Sequence, residues 1–446
     1  MKKVSLIVAL IALCGLAAST FADVQNIRLS GDIRVDGYFT DGTGVNGVKQ
    51  STSDAQFVTQ RTRVTVEADL EDHVLVVVTL QATGIWGKSD TVLRPANGAS
   101  RTWSVGVSEA YVQLRELFYS PATLKVGRQE LNYGTGLIIS SFDQIYTFDA
   151  GRLVLDYHPL TIDIVGAQLA NSQTFNKTQN GGSEDLLFVN AKYEVNGAVK
   201  DIEAYLGWVS QNPNYLHTFG TVGGGTTASP MLAGLRTDLT PCENLTASLE
   251  GAYEFGQAGI AGDPGQQISA FIANAAAKYT FKGVAWTPAI NAAYTFAQGG
   301  GNTANTDTHY FQPWFGMAEG YNGYVLAPLL SNMQIINLGA SVKPAANTTL
   351  ALQGYYYLKA DKNGYVSSDP NANLGGLGFG TTASNNSRDI GGELDAIVGY
   401  DYSKDVRFQL VYGAFLPENA YKANGATPGT ANRIASEVRG ELCVKF

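Results

Sequence analysis

From Ile27 onward the chain alternates: Ile27, Leu29, Gly31, Ile33, Val35, Gly37 and Phe39 hold one parity, and Arg28, Ser30, Asp32, Arg34, Asp36 and Tyr38 the other. A helix cannot keep alternate residues on one face, whereas a strand must, so this period of two predicts a strand. About ten residues is also the length a tilted strand needs to cross a bilayer. The pattern recurs, with Thr62, Val64, Val66, Ala68 and Leu70 alternating with Arg61, Arg63, Thr65, Glu67 and Asp69. After a turn at Glu71 and Asp72, an apolar face returns through Val74, Val76, Val78, Leu80 and Ala82, with Leu75 and Val77 as exceptions on the polar face. Ala110, Val112 and Leu114 then oppose Glu109, Tyr111, Gln113 and Arg115.

Soluble sandwiches show the same alternation, so the connections must choose between sandwich and membrane barrel. Short ones fall near residues 71–72, 118–121, 158–160, 196–200, 240–244, 282–284, 343–347 and 403–405. Between them lie long linkers rich in Gly, Asn, Ser and Thr, such as 40–56, 87–103, 170–184, 297–331 and 359–389. Short turns on one side and long loops on the other are the habit of outer-membrane barrels. Counting strands gives about 18, an even number that returns the C-terminus to the side where the chain began. The predicted fold is all-β, a transmembrane antiparallel up-and-down β-barrel wide enough for a water-filled lumen. The segments that fit the pattern least are 134–150 and 211–230.

Composition agrees. Of 446 residues only 15% are charged, against about a quarter in soluble proteins. Beyond the N-terminus no apolar run approaches the ~20 residues of a spanning helix. Aromatics at 11%, interleaved with polar residues, exclude disorder. Met1 to Ala22, with Lys2 and Lys3, an apolar stretch from Val4 to Leu16 and small residues around Phe21, reads as a signal peptide, leaving 23–446 as the barrel. Leu13 before Cys14 disfavours a lipid anchor, which wants a small residue there. Removing Lys2 and Lys3 takes the net charge from -9 to -11, which disfavours nucleic acid as a partner. Cys242 and Cys443 then remain, placed on roughly opposite sides of the barrel and expected to be free thiols. His73, His158, His217 and His309 are scattered, so neither a metal site nor a cofactor is expected. No nucleophile, base and acid come together in the pattern, and no enzymatic activity is expected.

Outward-parity aromatics gather near strand ends: Tyr193, Tyr279, Phe281, Trp286, Tyr400, Tyr402 and Phe408 toward the turns, Trp208, Phe255, Phe296 and Tyr412 toward the loops. Two such girdles suit the two interfaces of a bilayer and place the chain in the bacterial outer membrane, with its lipid as a partner. The closing run Leu442-Cys443-Val444-Lys445-Phe446 resembles the final strand by which the barrel-insertion machinery recognises its clients.

Three further runs carry a family resemblance: Glu109 to Arg115 (EAYVQLR), Leu124 to Gly134 (LKVGRQELNYG) and Phe148 to Leu153 (FDAGRL). Between about Gln60 and Tyr157 the chain resembles the alginate export porins. The resemblance implies an 18-stranded outer-membrane barrel whose basic lumen passes an anionic polysaccharide. Read from its residues, the lumen is mixed: Arg34, Arg61, Arg63, Arg115, Arg236 and Arg439 face Asp32, Asp36, Glu67, Glu109, Glu203, Glu250, Glu393, Asp395, Glu437 and Glu441. Such a surplus of acids is expected to repel a polyuronate.

Barrel closure places Arg439, Arg34 and Arg63 at similar depth on three neighbouring strands, beside Arg61 and among Glu437, Asp36 and Glu67. Either these charges set a field across the pore that sorts polar and charged solutes, or they pair and satisfy one another. Arg128 shares parity with Leu124 and Val126, and either a bulge at Gly127 turns it toward the lumen or a loop base, or it serves structurally by tying the segment from Gly134 to Ala150 to the wall. In the longest linker Tyr310, Phe311, Trp314 and Phe315, followed by Tyr321, Tyr324, Leu326 and Leu329, make either a platform for carbohydrate at the mouth or a cluster that folds inward as a constriction. The function expected is passive passage of polar or charged solutes, a polysaccharide or oligosaccharide among them. A general diffusion porin for small nutrients, or an adhesive or structural barrel, are the alternatives.

Overall fold

The computed structural model describes residues 26–41, 55–70, 73–87, 103, 105–141, 147–171, 183–211, 229–257, 267–300, 309–316, 322–328, 330–362, 387–422 and 434–446. The strands are β1 (Asn26–Asp41), β2 (Ala55–Asp69), β3 (Val74–Ile85), β4 (Val105–Leu114), β5 (Ala122–Gln129), β6 (Phe148–Tyr157), β7 (Leu160–Asn171), β8 (Ser183–Glu194) and β9 (Val199–Gln211). They continue as β10 (Ser229–Cys242), β11 (Leu245–Gln257), β12 (Gln267–Thr280), β13 (Ala289–Ala297), β14 (Met333–Ala345), β15 (Thr348–Leu358), β16 (Asp389–Asp401), β17 (Val406–Pro417) and β18 (Ala435–Lys445). Each strand pairs with the next, and β18 returns to β1, from Asp32 opposite Lys445 to Asp41 opposite Ser436. The result is a closed antiparallel barrel of 18 strands. In hydrocarbon no water is available to unpaired backbone groups, and closure leaves no edge strand to carry them.

The outer surface shows why this is not a sandwich. Leu29, Leu206, Leu235, Leu338 and Leu410 all lie half or more exposed on the outward parity. In water that band would be an aggregation surface, whereas in a bilayer the same side chains are buried. The eight expected short connections all fall at strand junctions on the side of the termini, though Glu71 and Asp72 themselves lie outside the described residues. Tyr193, Trp286, Tyr400, Tyr402 and Phe408 are exposed near that side, and Trp208 and Tyr412 near the other. In β4 the parity changes once: a register shift opposite Thr79 and Leu80 leaves Val105 and Val107 outward, buries Ser108, and then restores Val112 to the outside.

The seam between first and last strands has its own fit. Gly31 and Phe446 exchange two backbone hydrogen bonds of 2.8 and 3.0 Å. A Cβ on Gly31 would lie 2.3 Å from the Arg63 carbonyl oxygen and 2.7 Å from the Phe446 ring, so the absence of a side chain is what admits that ring. Cys242 and Cys443 are free thiols, as expected. The signal segment 1–22, the stretch 212–228 and the residues His217, Tyr321 and Leu329 lie outside the described residues.

The principal hydrophobic core lies inside the barrel. Residues 130–141, between β5 and β6, and residues 309–316, 322–328 and 330, between β13 and β14, enter the lumen and pack on inward residues of the wall. Segment 134–150 fits the strand pattern poorly because much of it is this insertion, and β6 begins only at Phe148.

Candidate channel lumen

The first inserted segment is a small hairpin. Tyr133 N donates to the Ile139 carbonyl at 3.1 Å, Ser141 N to that of Leu131 at 3.0 Å, and Gly136 N closes the tip on Tyr133 at 3.0 Å. The second segment lies alongside it: Ser140 N donates to the Phe315 carbonyl, and Phe315 N to that of Ile138, both at 2.8 Å. Leu131, Leu137, Ile138, Ile139, Phe311 and Phe315 are buried together, with Phe148 edge-on to Phe315 at 5.3 Å. The aromatic run therefore folds inward as a cluster: Phe311, Trp314 and Phe315 are buried and Tyr310 is half-buried. Burial also pushes the Tyr310 phenol above its ordinary pKa.

Irregular backbone inside a barrel has amide hydrogens without ladder partners, and leaving them bare costs about 1–3 kcal/mol each. Wall carboxylates accept them here. Glu203 on β9 takes Gly134 N at 3.2 Å, and Glu250 on β11 takes Thr135 N at 2.9 Å and its hydroxyl at 2.6 Å. Glu254, fully buried on the same strand, accepts Gln312 N at 2.9 Å and the Trp314 indole at 3.1 Å. Glu393 on β16 accepts three successive amides, Tyr324 N at 2.7 Å, Val325 N at 2.8 Å and Leu326 N at 2.9 Å, together with the Tyr357 hydroxyl at 3.1 Å. Asp163 on β7 takes the Tyr133 hydroxyl at 3.0 Å and the Arg152 guanidinium, which also lies over the Tyr133 ring. Burial, the largest influence, raises the Tyr133 phenol well above its usual range and keeps it a donor.

These contacts revise the mixed lumen expected from the sequence. Glu203, Glu250 and Glu393 do face inward, but they hold the inserted segments and do not present free negative charge to a solute. Glu254 was absent from that expectation. Its parity was readable, but the partner that gives it a role lies 58 residues away along the chain.

The arginine group lies on β18, β1 and β2. Arg61 and Arg63 both bond Asp32, Arg34 bonds Asp36 at 3.0 Å and Glu441 at 2.9 Å, and Arg439 reaches Asp36 at 3.4 Å and lies 5.2 Å over the Tyr38 ring. The pairing expected as one alternative is thus present. Asp32, Asp36 and Glu441 each accept from this group of four guanidiniums, and Arg34, Arg61 and Arg63 remain somewhat more exposed than the two aspartates. Contrary to the expectation from sequence, the arginines do not all lie at similar depth. Arg34 stands opposite Arg61, Arg63 opposite Asp32, and Arg439 opposite Tyr38, four residues further along β1 toward the loops. Glu67 is corrected: it stands opposite Arg28, 3.9 Å from its guanidinium, near the periplasmic end and away from the group. Glu437 is half-buried two residues beyond Arg439 on β18.

Arg128 is a second correction. The register runs unshifted from Val112 opposite Val126 to Ala110 opposite Arg128, so Gly127 hosts no bulge. Arg128 keeps the outward parity of Val126 and makes two 2.8 Å bonds to Asp149 on β6. It is the penultimate residue of its strand at the loop end, where an outward arginine costs only about 0–1 kcal/mol, and so nothing forces the chain to turn it inward. Because the pair is substantially exposed, Arg128→Ala is expected to lower stability by less than about 1 kcal/mol. The same variant should leave ion selectivity in planar bilayers unchanged, and a changed selectivity would return Arg128 to the lumen.

Four successive strands build a different surface opposite these charges in kind. Asn274 on β12, Asn291 on β13, Asn337 on β14 and Gln353 on β15 line a lumenal cavity of about 620 Å³.

A family model described as alginate export matches residues 34–435. The chain belongs to the alginate export family. Solved structures similar to it include OccAB1 of Acinetobacter baumannii, at 14% identity and TM-score 0.57 over 96% of this chain and 98% of that one. The outer membrane protein OprD of Pseudomonas aeruginosa aligns at 12% identity and TM-score 0.54, over 95% and 96%. A BenF-like porin from Pseudomonas fluorescens Pf-5 aligns at 12% identity and TM-score 0.56, over 95% and 99%. At these identities the likeness concerns the fold. Among curated protein sequences none matches the chain. As a member of the alginate export family with a porin barrel, the protein is a substrate-translocating channel of the bacterial outer membrane and not an enzyme.

Proposed function

We propose that this alginate export protein is a constricted, passive channel for small acidic saccharides and related hydroxy acids. The observation that carries the reading is the arginine group. Four guanidiniums gather on three neighbouring strands, and Arg34, Arg61 and Arg63 remain more exposed than Asp32 and Asp36 beneath them. A low-dielectric wall focuses the field of such exposed guanidiniums onto a passing anion. The acids of β9, β11 and β16 meanwhile fasten the inserted segments, which occupy part of the lumen. The family's name points to a polyuronate, and an acidic sugar is the unit of that polymer which this geometry favours. Residues 1–22 serve as the export signal in this reading, and Phe446, seated on Gly31, as the mark read by the insertion machinery.

Flux into liposomes tests it. Glucuronate and glucose have similar ring size, and glucuronate is expected to enter severalfold faster through the reconstituted protein. Equal or slower entry of glucuronate would contradict the reading.

A further inference from the structure

We propose that the amide-lined cavity of β12 to β15 is a binding site for an uncharged, hydroxyl-rich unit, a neutral saccharide ring being the chemical class that fits it. The inference rests on the channel reading above and adds a ligand-binding step on the lumen wall. At about 620 Å³ the cavity lies within the size range of small-molecule sites.

The lining chemistry selects hydroxyls. A carboxamide offers both donors and acceptors, as a sugar hydroxyl does, and carries no charge to demand a counter-ion. Three of the amides fix one another: Asn291 Nδ2 donates to Asn337 Oδ1 at 3.0 Å and to Gln353 Oε1 at 3.1 Å, and Asn337 Nδ2 donates to Gln353 Oε1 at 3.2 Å. Gln353 Nε2 returns a bond to Asn291 Oδ1 at 3.2 Å. Such a network holds the amides in place before a ligand arrives, which lowers the ordering cost of binding.

Asn274 supplies what the network lacks. Its side chain is buried to 4% exposure, and its Nδ2 donates to Thr295 Oγ1 at 2.8 Å. Its Oδ1 accepts no hydrogen bond among the described residues although the residue lines the cavity. A buried acceptor bordering an open volume is a place for a donor hydroxyl. Tyr355 lines the same volume, its ring parallel to Tyr357 at 6.1 Å, and gives the carbon-bound face of a pyranose an apolar surface. The charged lining residues, Lys200, Asp238 and Lys278, stand near the periplasmic ends of their strands, and Asp238 is already held by Arg236 at 2.5 Å. The middle of the site is therefore neutral, in contrast to the arginine group on β18, β1 and β2. A sugar acid presents chemistry for both.

Maltotriose isolates the neutral site from charge. The full-length protein is placed in planar bilayers, its conductance and reversal potential are recorded first, and maltotriose is then added on the periplasmic side. The wild-type current is expected to be interrupted by maltotriose, and Asn274→Leu is expected to raise the half-blocking concentration about tenfold, the size of effect of one lost hydrogen bond to a buried partner. Gln353→Leu, which breaks the network without touching Asn274, should weaken block as well, and Arg34→Ala should leave it unchanged. Unaltered heat-modifiable mobility and open conductance identify variants whose barrel is intact. A wild-type channel that conducts with anion preference but ignores maltotriose would overturn this inference and leave the channel reading standing. Equal block in wild type and both amide variants would also overturn it, since the free Asn274 oxygen would then serve only a bound water. Absence of any conductance would overturn both.

Discussion

Replacing Glu393 with alanine is expected to release the second inserted segment and raise single-channel conductance severalfold. Three consecutive backbone amides and the Tyr357 hydroxyl converge on this one carboxylate. Alanine leaves the Val325 and Leu326 amides buried without an acceptor, at about 1–3 kcal/mol each, while the Tyr357 hydroxyl keeps the Asn322 carbonyl at 2.8 Å. Gly323, with φ +107, lies so close that a Cβ would stand 2.7 Å from Glu393 Oε1, so the chain here is shaped around the carboxylate. Glu393→Gln keeps one acceptor oxygen and should show a smaller, noisier increase. Conductance unchanged in Glu393→Ala would mean that the segment does not narrow the path.

Gly31→Leu is expected to abolish the closed barrel altogether. Even the first carbon of a side chain at this position would meet backbone, the Arg63 carbonyl oxygen at 2.3 Å, and the ring of Phe446 at 2.7 Å. Backbone on a hydrogen-bonded strand cannot move aside without breaking the β1–β2 register, and an open seam exposes unpaired amides to lipid. The compact, heat-modifiable band on a denaturing gel should be lost. Gly440→Ala serves as the control, because nothing lies within 4 Å of a Cβ placed there. Retention of the compact band in Gly31→Leu would contradict the fit of Phe446 on the seam.

Much of the wall was legible in the sequence because a membrane barrel obeys local rules. Ile27 to Phe39 sort by parity with no knowledge of their neighbours, and the short turns recur on one side whatever the loops do. The strand count of 18 and the return of Phe446 to the first strand follow from that regularity. The lumen was legible only in part. The inward parity of Asp32, Asp36, Arg34, Arg61, Arg63 and Arg439 was readable, whereas their pairing depends on a register that the alternation does not fix. Arg128 was misplaced because a mid-membrane cost was assigned to a residue at the strand end, where an arginine with Asp149 beside it is tolerated.

The inserted segments were hardest to read. Tyr310 to Phe315 announced a cluster through their aromatics, but residues 134–150 read only as a weak strand segment. Its signal was Leu137-Ile138-Ile139, a run too apolar for a loop bathed in water. The acids that hold both segments were visible as acids and misread as free charge. Hydrogen bonds between Glu250 and Thr135, or Glu393 and Tyr324, join residues far apart in sequence, and no periodicity encodes them.

The central claim is that the accessible charge of the lumen is the arginine group and not the acids fastened beneath the inserted segments. Reversal potential in a potassium chloride gradient tests it most directly, comparing wild type with the Arg34→Ala/Arg439→Ala double variant. Chloride preference in the wild type, shifting toward potassium in the double variant, is the predicted result. Potassium preference in the wild type, or a selectivity indifferent to the loss of both arginines, would contradict the account.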